Sequence, residues 1–228
     1  MIEKFATYIP NELKNLSGAV FYSGRNAFQG KKDLYIIGLN PGGSDVFQKK
    51  TVSSHTETTL ARLNPDWSAY NDEIWCSTNK PGTHGLQPRI LHLLRSLNLS
   101  PHTVPASNVC FVRSKRERNI SDKLYEYAEL CWPFHVKVIV ELEVKVILCF
   151  GKSTGRFIRK KLQANRLIDK FIEKNNRKWE SQVFENDKGQ VVIVATHPSI
   201  ADWTNPLTDP SGLVKKQLIR IKDKESKL

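Results

Sequence analysis

Apolar residues run almost unbroken from Leu34 to Leu39 and again from Val144 to Phe150. Such runs predict strands buried on both faces. Each stops at turn formers, Asn40-Pro41-Gly42-Gly43 in the first case and Gly151 in the second. Proline fixes φ and lacks an N–H, and glycine adopts angles closed to other residues, so each stop predicts a sharp turn at a strand's carboxyl end. Asn108–Val112 predicts a further strand. Trp179–Phe184 and Gln190–Ala195 predict two more around Asp187-Lys188-Gly189, the last ending at Thr196-His197-Pro198-Ser199.

Helical spacing appears between these runs. Residues 2–16 predict a short helix interrupted at Ile9-Pro10, and Ile90, Leu91, Leu93, Leu94 and Leu97 recur at helical period over Gln87–Leu97. Asp122 is the expected N-cap of a helix running toward Leu142, with a kink at Pro133. Ser153–Phe171 reads as a long basic amphipathic helix and Leu213–Ile221 as a closing one. The polar stretch Ser44–Gly85, carrying Trp67, Tyr70 and Trp75, is too long for a plain connection, so function or short helices are expected in it. Strands alternating with helices predict a three-layer α/β fold with a parallel or mostly parallel sheet. No repeat or low-complexity linker divides the chain, so residues 1–228 are expected to form one domain.

Charge narrows the function. Lys plus Arg is 35 against 23 Asp plus Glu, a formal net charge of +12. An excess of that size favours a polyanionic partner, with nucleic acid ahead of an anionic membrane surface. The excess is clustered: Arg113, Lys115, Arg116 and Arg118; then Arg156, Arg159, Lys160 and Lys161; then Lys215, Lys216, Arg220, Lys222, Lys224 and Lys227. No apolar run approaches a membrane span, and Met1-Ile2-Glu3-Lys4 carries no signal-peptide pattern. Cys76, Cys110, Cys131 and Cys149 show no CxxC spacing and read as reduced thiols. The expectation is a cytoplasmic monomer with DNA as partner and no membrane.

Two strand ends carry polar turn motifs, Gly38-Leu39-Asn40-Pro41-Gly42 and His197-Pro198-Ser199. Together, in this order, they resemble the uracil-DNA glycosylase superfamily. Ser107-Asn108-Val109-Cys110-Phe111-Val112-Arg113, Glu129-Leu130-Cys131-Trp132-Pro133-Phe134 and Val146-Ile147-Leu148-Cys149-Phe150-Gly151-Lys152 resemble segments of its family 4 enzymes. The resemblance spans roughly residues 34–200. It implies a three-layer αβα domain with a central, mostly parallel four-stranded sheet. Departures matter as well. Only Cys131 matches a cluster ligand of family 4, and one thiolate cannot hold an iron–sulfur cluster, so no cofactor and no metal are expected. The first motif is closer to the mismatch-specific and single-strand-selective branches.

The resemblance implies a monofunctional DNA glycosylase, with site residues carried over position by position. Asn40 would orient a water through its amide oxygen, and His197 would stabilise the leaving base with a ring N–H. Gly38, Leu39, Pro41 and Gly42 would border the base. Asn108 would read its edge, with Ser114 as the alternative reader, and Phe47 would stack on it. Gly43, Arg113, Lys115, Arg116 and Ser199 would contact DNA. Ile200 and Trp203 are the candidate wedge filling the vacated stack, though Trp203 reads equally as core. Gly42 stands where a tyrosine excludes C5 substituents in classical members, so a C5-modified or bulky hypermodified phage pyrimidine is expected beside uracil as substrate. Two other readings compete. One is a non-catalytic DNA-binding module on the same fold. The other is a nucleotide-binding α/β protein, for which the chain lacks GxGxxG and P-loop spacing.

Overall fold

The computed structural model describes residues 2–76 and 80–226, so Lys227 of the last basic cluster and part of the 44–85 segment lie outside the described residues. One six-stranded sheet carries the architecture, in the order β2-β1-β3-β6-β5-β4. The strands are β1 (Leu34–Gly38), β2 (Ala106–Asn108), β3 (Val146–Phe150), β4 (Arg166–Ile172), β5 (Glu180–Glu185) and β6 (Val191–Ala195). β2, β1, β3 and β6 are mutually parallel, whereas β5 and β4 extend the sheet as antiparallel neighbours. The expectation of four mostly parallel strands is thereby corrected to a mixed sheet of six.

Helices cover both faces. They are α1 (Ile2–Ala6), α2 (Val52–Leu60), α3 (Gln87–Ser96), α4 (Ser121–Glu141), α5 (Gly151–Leu162) and α6 (Ser211–Glu225). Side chains alternate across a strand, so Tyr35 and Ile37 of β1 enter the core under α1, α4 and α5. Leu34 and Ile36 enter the opposite core, under α3 and α6. Because both sets are fully buried, β1 and β3 are apolar at every inner position. The result is the three-layer α/β arrangement expected from the alternation.

The largest correction falls on Ser153–Phe171. The helix begins earlier, at Gly151, and stops at Leu162, where Gln163 takes a left-handed φ of 55°. The chain then turns into β4, whose pairing with β5 supplies backbone partners that a continued helix would otherwise have supplied. Strand Asn108–Val112 is likewise Ala106–Asn108, because the following residues bond to the loop after β1 and to residues near 18. α4 is capped at Ile120 without a side-chain bond, not at Asp122, and continues through Pro133. The 2–16 region holds α1 and a short 3-10 turn, Asn11–Leu13, beyond Pro10. The 44–85 stretch contains α2, closed at its start by a reciprocal Thr51–Ser54 capping box. Among the described residues no helix is long and apolar enough to cross a membrane.

Two histidines are folded into low-dielectric surroundings. His135 is fully buried on α4, its Nδ1 at 2.9 Å from the Tyr35 hydroxyl, and burial lowers its pKa from 6.5 to about 4. His55 on α2 is lowered from 6.5 to about 3, first by burial and then by Lys50, Arg113 and Arg62. Both are neutral in the native state and take up protons on unfolding, so their stability contribution is complete above pH 6.5 and lost as pH falls toward the folded values. Thermal unfolding followed from pH 8 to pH 4 is expected to show a midpoint that declines below about pH 6.5. His135→Gln should flatten that decline; an unchanged slope would contradict the assignment.

Candidate active-site cleft

Because β2, β1, β3 and β6 run parallel, their carboxyl ends meet at one sheet edge. Loops beyond that edge wall a cleft of about 1530 Å³. Ligands of open α/β sheets bind at this edge, where chains leave the sheet in different directions. The cleft is bordered by Gly38, Leu39, Asn40, Gly42 and Gly43, by Asn108, and by His197. Pro41 is buried behind its wall, its carbonyl accepting the Ser114 N–H at 3.1 Å.

Asn40 follows β1 directly. Its Nδ2 donates to the Pro41 carbonyl at 3.0 Å, the Val112 carbonyl at 3.3 Å and Ser114 Oγ at 2.9 Å. Carbonyls only accept, so the amide nitrogen must face them, and the ambiguity between amide N and O is resolved chemically. Oδ1 then carries the side chain's remaining capacity as an acceptor. Ser114 donates onward to the Arg116 carbonyl at 3.0 Å. With its hydrogen donated to Arg116 and its oxygen accepting from Asn40, Ser114 positions Asn40.

Asn108 ends β2 and pairs in register with Gly38. Its Oδ1 lies 2.2 Å from the place a Cβ on Gly38 would occupy, so only glycine admits this side chain at the sheet edge. The Nδ2 of Asn108 is buried and, among the described residues, closes no hydrogen bond of good geometry, its polar neighbour being the Tyr22 hydroxyl. An unpaired buried donor costs about 1–3 kcal/mol, and a ligand acceptor would remove that cost. The Tyr22 hydroxyl lies nearby, its pKa raised to about 12 by burial and drawn back by Arg113 and Asn108.

His197 follows β6. Its Nδ1 accepts the Ser199 N–H at 3.0 Å and lies 2.7 Å from Ser199 Oγ. An acceptor nitrogen carries no proton, so the neutral ring bears its hydrogen on Nε2. Burial holds the ring's pKa below 6.5, partly opposed by Glu117. Gly151, at φ +83°, would place a Cβ 3.4 Å from His197 Cβ, and that backbone angle strains any side chain. Trp203 Nε1 donates to the Thr196 carbonyl at 3.1 Å, and Arg89 donates to the Pro198 carbonyl. These bonds pin the turn from both sides.

The remaining expected residues divide. Arg113, Lys115 and Arg116 border the cleft, as do Ser199 and Ile200. Ser199, expected at a phosphate, has its hydroxyl at Nδ1 of His197. Ile200 is 55% exposed, whereas Trp203 is fully buried against Phe150. The wedge role for Trp203 is therefore corrected: it is core, because its indole N–H bonds the backbone that precedes His197. Phe47 borders the cleft 87% exposed. Among the described residues no atom lies within 4 Å of a Cβ placed on Gly42, so none of them fills the space a side chain would take there.

Sequence reasoning missed Tyr22, His55, Tyr70, Glu73, Trp75 and Trp179, which all border the cleft. The run Trp67–Trp75 was a signal for Tyr70 and Trp75, since aromatics in a long polar segment need a partner. His55 and Tyr22 carried none. Among the described residues no group of three or more His, Cys, Asp or Glu side chains could hold a metal. Cys131 is buried, which pushes its thiol up. Compared with known protein families and with curated proteins, the chain matches none.

The two glycines of the first motif should respond oppositely to alanine. Gly38→Ala meets the Asn108 amide and is expected to lower stability by about 1–3 kcal/mol. Gly42→Ala enters open space and should change it by less than about 0.5 kcal/mol. Urea midpoints of the two variants decide this; equal effects would refute the packing of Asn108 over Gly38.

Proposed function

We propose that this chain is a monofunctional DNA glycosylase of the uracil-DNA glycosylase superfamily, acting on a pyrimidine flipped out of DNA into the cleft. The observation that carries the reading is the complementary pair at two strand ends: an Asn40 amide whose nitrogen is tied to backbone, and a neutral His197 whose proton sits on Nε2. The first leaves an acceptor for a water and the second a donor for the departing base.

Hydrolysis breaks the bond between the sugar C1′ and the base N1, whose electron pair leaves with the base. Nε2–H of His197 would bond the base O2, where negative charge develops, which stabilises the transition state more than the ground state. Asn40 Oδ1 would orient the water that adds to C1′, with the released proton ending on the base. Asn108 suits the base edge. Its unpaired Nδ2 would donate to O4, and Oδ1 over Gly38 would accept N3–H of uracil. Ile200 and the neighbouring Trp179, 40% exposed and stacked under Arg177, suit the gap left in the duplex.

The substrate we favour is uracil or a pyrimidine enlarged at C5, including a bulky hypermodified phage base. Two features support it. A Cβ on Gly42 meets nothing, and the cleft of about 1530 Å³ exceeds the roughly 300–1,000 Å³ typical for drug-sized ligands. Local charge supports DNA as partner. On α6, Lys216, Arg220, Lys222 and Lys224 pair with Asp169, Glu185 and Asp33, whereas Arg113, Lys115 and Arg116 at the cleft have no carboxylate partner among the described residues.

Base release from oligonucleotides carrying uracil, thymine mismatches, 5-hydroxymethylcytosine or its glucosylated form, read as alkali-labile sites, tests the reading. One base should be released, and Asn40→Ala and His197→Ala should each slow release by about 10²–10³-fold. Gly42→Tyr should retain uracil and lose any C5-enlarged substrate. No release from any oligonucleotide, with salt-sensitive DNA binding retained, would replace the enzyme by a binding module. Because burial lowers the His197 pKa, kcat/KM of the active enzyme should hold through pH 6.5 and decline only at lower pH, as protonation of Nδ1 breaks its bond to Ser199.

A further inference from the structure

Beside Gly42 the cleft is walled by hydrogen-bond donors. Arg113 donates to the Gly42 carbonyl, has no carboxylate partner among the described residues, and keeps a buried Nε without an acceptor. His55 on α2 borders the same cleft. Its Nδ1 faces the Val20 N–H at 3.5 Å, a long contact that leaves the ring proton on Nε2. Lys50, one residue before the Thr51 cap, also borders the cleft. The charges of Lys50, Arg113 and Arg62 all reach the His55 ring.

Of those three cations, Arg62 is engaged, paired with Glu73 at 3.4 Å and stacked over Trp67 at 4.0 Å. Among the described residues, the acids bordering the cleft make their contacts with groups other than Lys50 and Arg113. Glu73 also accepts from Trp75, Glu117 accepts from Ser153 at 2.6 Å, and Glu180 pairs with Lys170. The Arg113 N–H donates to the Ser17 carbonyl at 2.7 Å and the Gly18 N–H to the Lys50 carbonyl at 3.0 Å, so the two basic residues flank one short segment whose Val20 N–H faces His55, and among the described residues neither pairs with a carboxylate. Like charges gathered at a partly desolvated wall repel, and a bound anion reverses the sign of that cost.

We propose that Arg113, His55 and Lys50 form an oxyanion subsite beside the base pocket. It accepts one phosphate- or carboxylate-sized group, supplied by a DNA phosphate near the flipped nucleotide or by an acidic substituent on the base. Only the source of the anion rests on the glycosylase reading; the subsite itself does not.

Titration of the protein with inorganic phosphate, followed by NMR of 15N-labelled histidine, reads the subsite without catalysis. The His55 signals should move saturably and its pKa should rise, since the anion offsets the cations. Lys50→Ala, at an exposed position that leaves the fold intact, should weaken phosphate binding by about tenfold, in keeping with one charge-assisted contact. Binding to oligonucleotides made uncleavable by a 2′-fluorinated target nucleotide separates the sources. With a DNA phosphate, Lys50→Ala and His55→Gln lower affinity alike for every base, and one neutral methylphosphonate abolishes the difference. With a base substituent, the parent prefers 5-carboxyuracil over uracil and both variants lose the preference. Unmoved His55 signals, with affinity unchanged in both variants, would overturn the subsite. Absence of base release alone would overturn only the glycosylase reading.

Discussion

Parallel hydrogen bonding of β1 to β2 on one side and β3 on the other is the constraint on which the site depends. It aligns Gly38 with Asn108 and places the turn at Asn40 beside the start of α5. Side chains alternate at every residue, so a slip of one position would turn Asn108 to the opposite face and carry Ile36 and Ile37 out of their cores. Two apolar layers thus enforce the register that a polar contact at the edge needs. Glycine at 38 completes the arrangement, because a methyl group there would occupy the place of the Asn108 amide oxygen.

The polar groups at this edge are held by backbone more than by each other. Asn40 is tied to two carbonyls, His197 to an N–H two residues on, and the turn bearing His197 to the Trp203 indole. Each bond consumes one end of a two-ended side chain and leaves the other end with a defined role as acceptor or donor. Such fixed dipoles need little reorganisation during a reaction, which is how preorganised sites lower barriers. Trp203 contributes through this support, from inside the core.

Net charge is informative only after its pairing is known. The basic residues of α6 pair with Asp33, Asp169 and Glu185, and Lys161 of α5 with Glu129. Pairs exposed on both sides, such as Lys222–Asp33, contribute little to stability, whereas Glu185 is buried, and each pair offsets the local field. At the cleft, by contrast, Arg113, Lys115, Arg116 and Lys50 have no carboxylate partner among the described residues.

What the sequence by itself determined is local. The apolar runs of β1, β3 and β6 and the turn formers that stop them were legible, since burial on both faces and the angles of proline and glycine act within a few residues. Asn40 and His197 were legible for the same reason, standing at those stops. Tertiary structure decided the rest. Residues 166–171 read as helix by spacing, yet pairing with β5, itself read as a strand at Trp179–Phe184, made them part of β4 and completed a mixed sheet of six in place of the four strands that the resemblance implied. Trp203 became core through a bond to the Thr196 carbonyl. Ser114 became a support for Asn40 across 74 residues of chain. His55 and Tyr22 entered the cleft from segments without a motif. Contacts between distant segments depend on which surfaces the whole fold brings together, and no window of neighbouring residues contains that information.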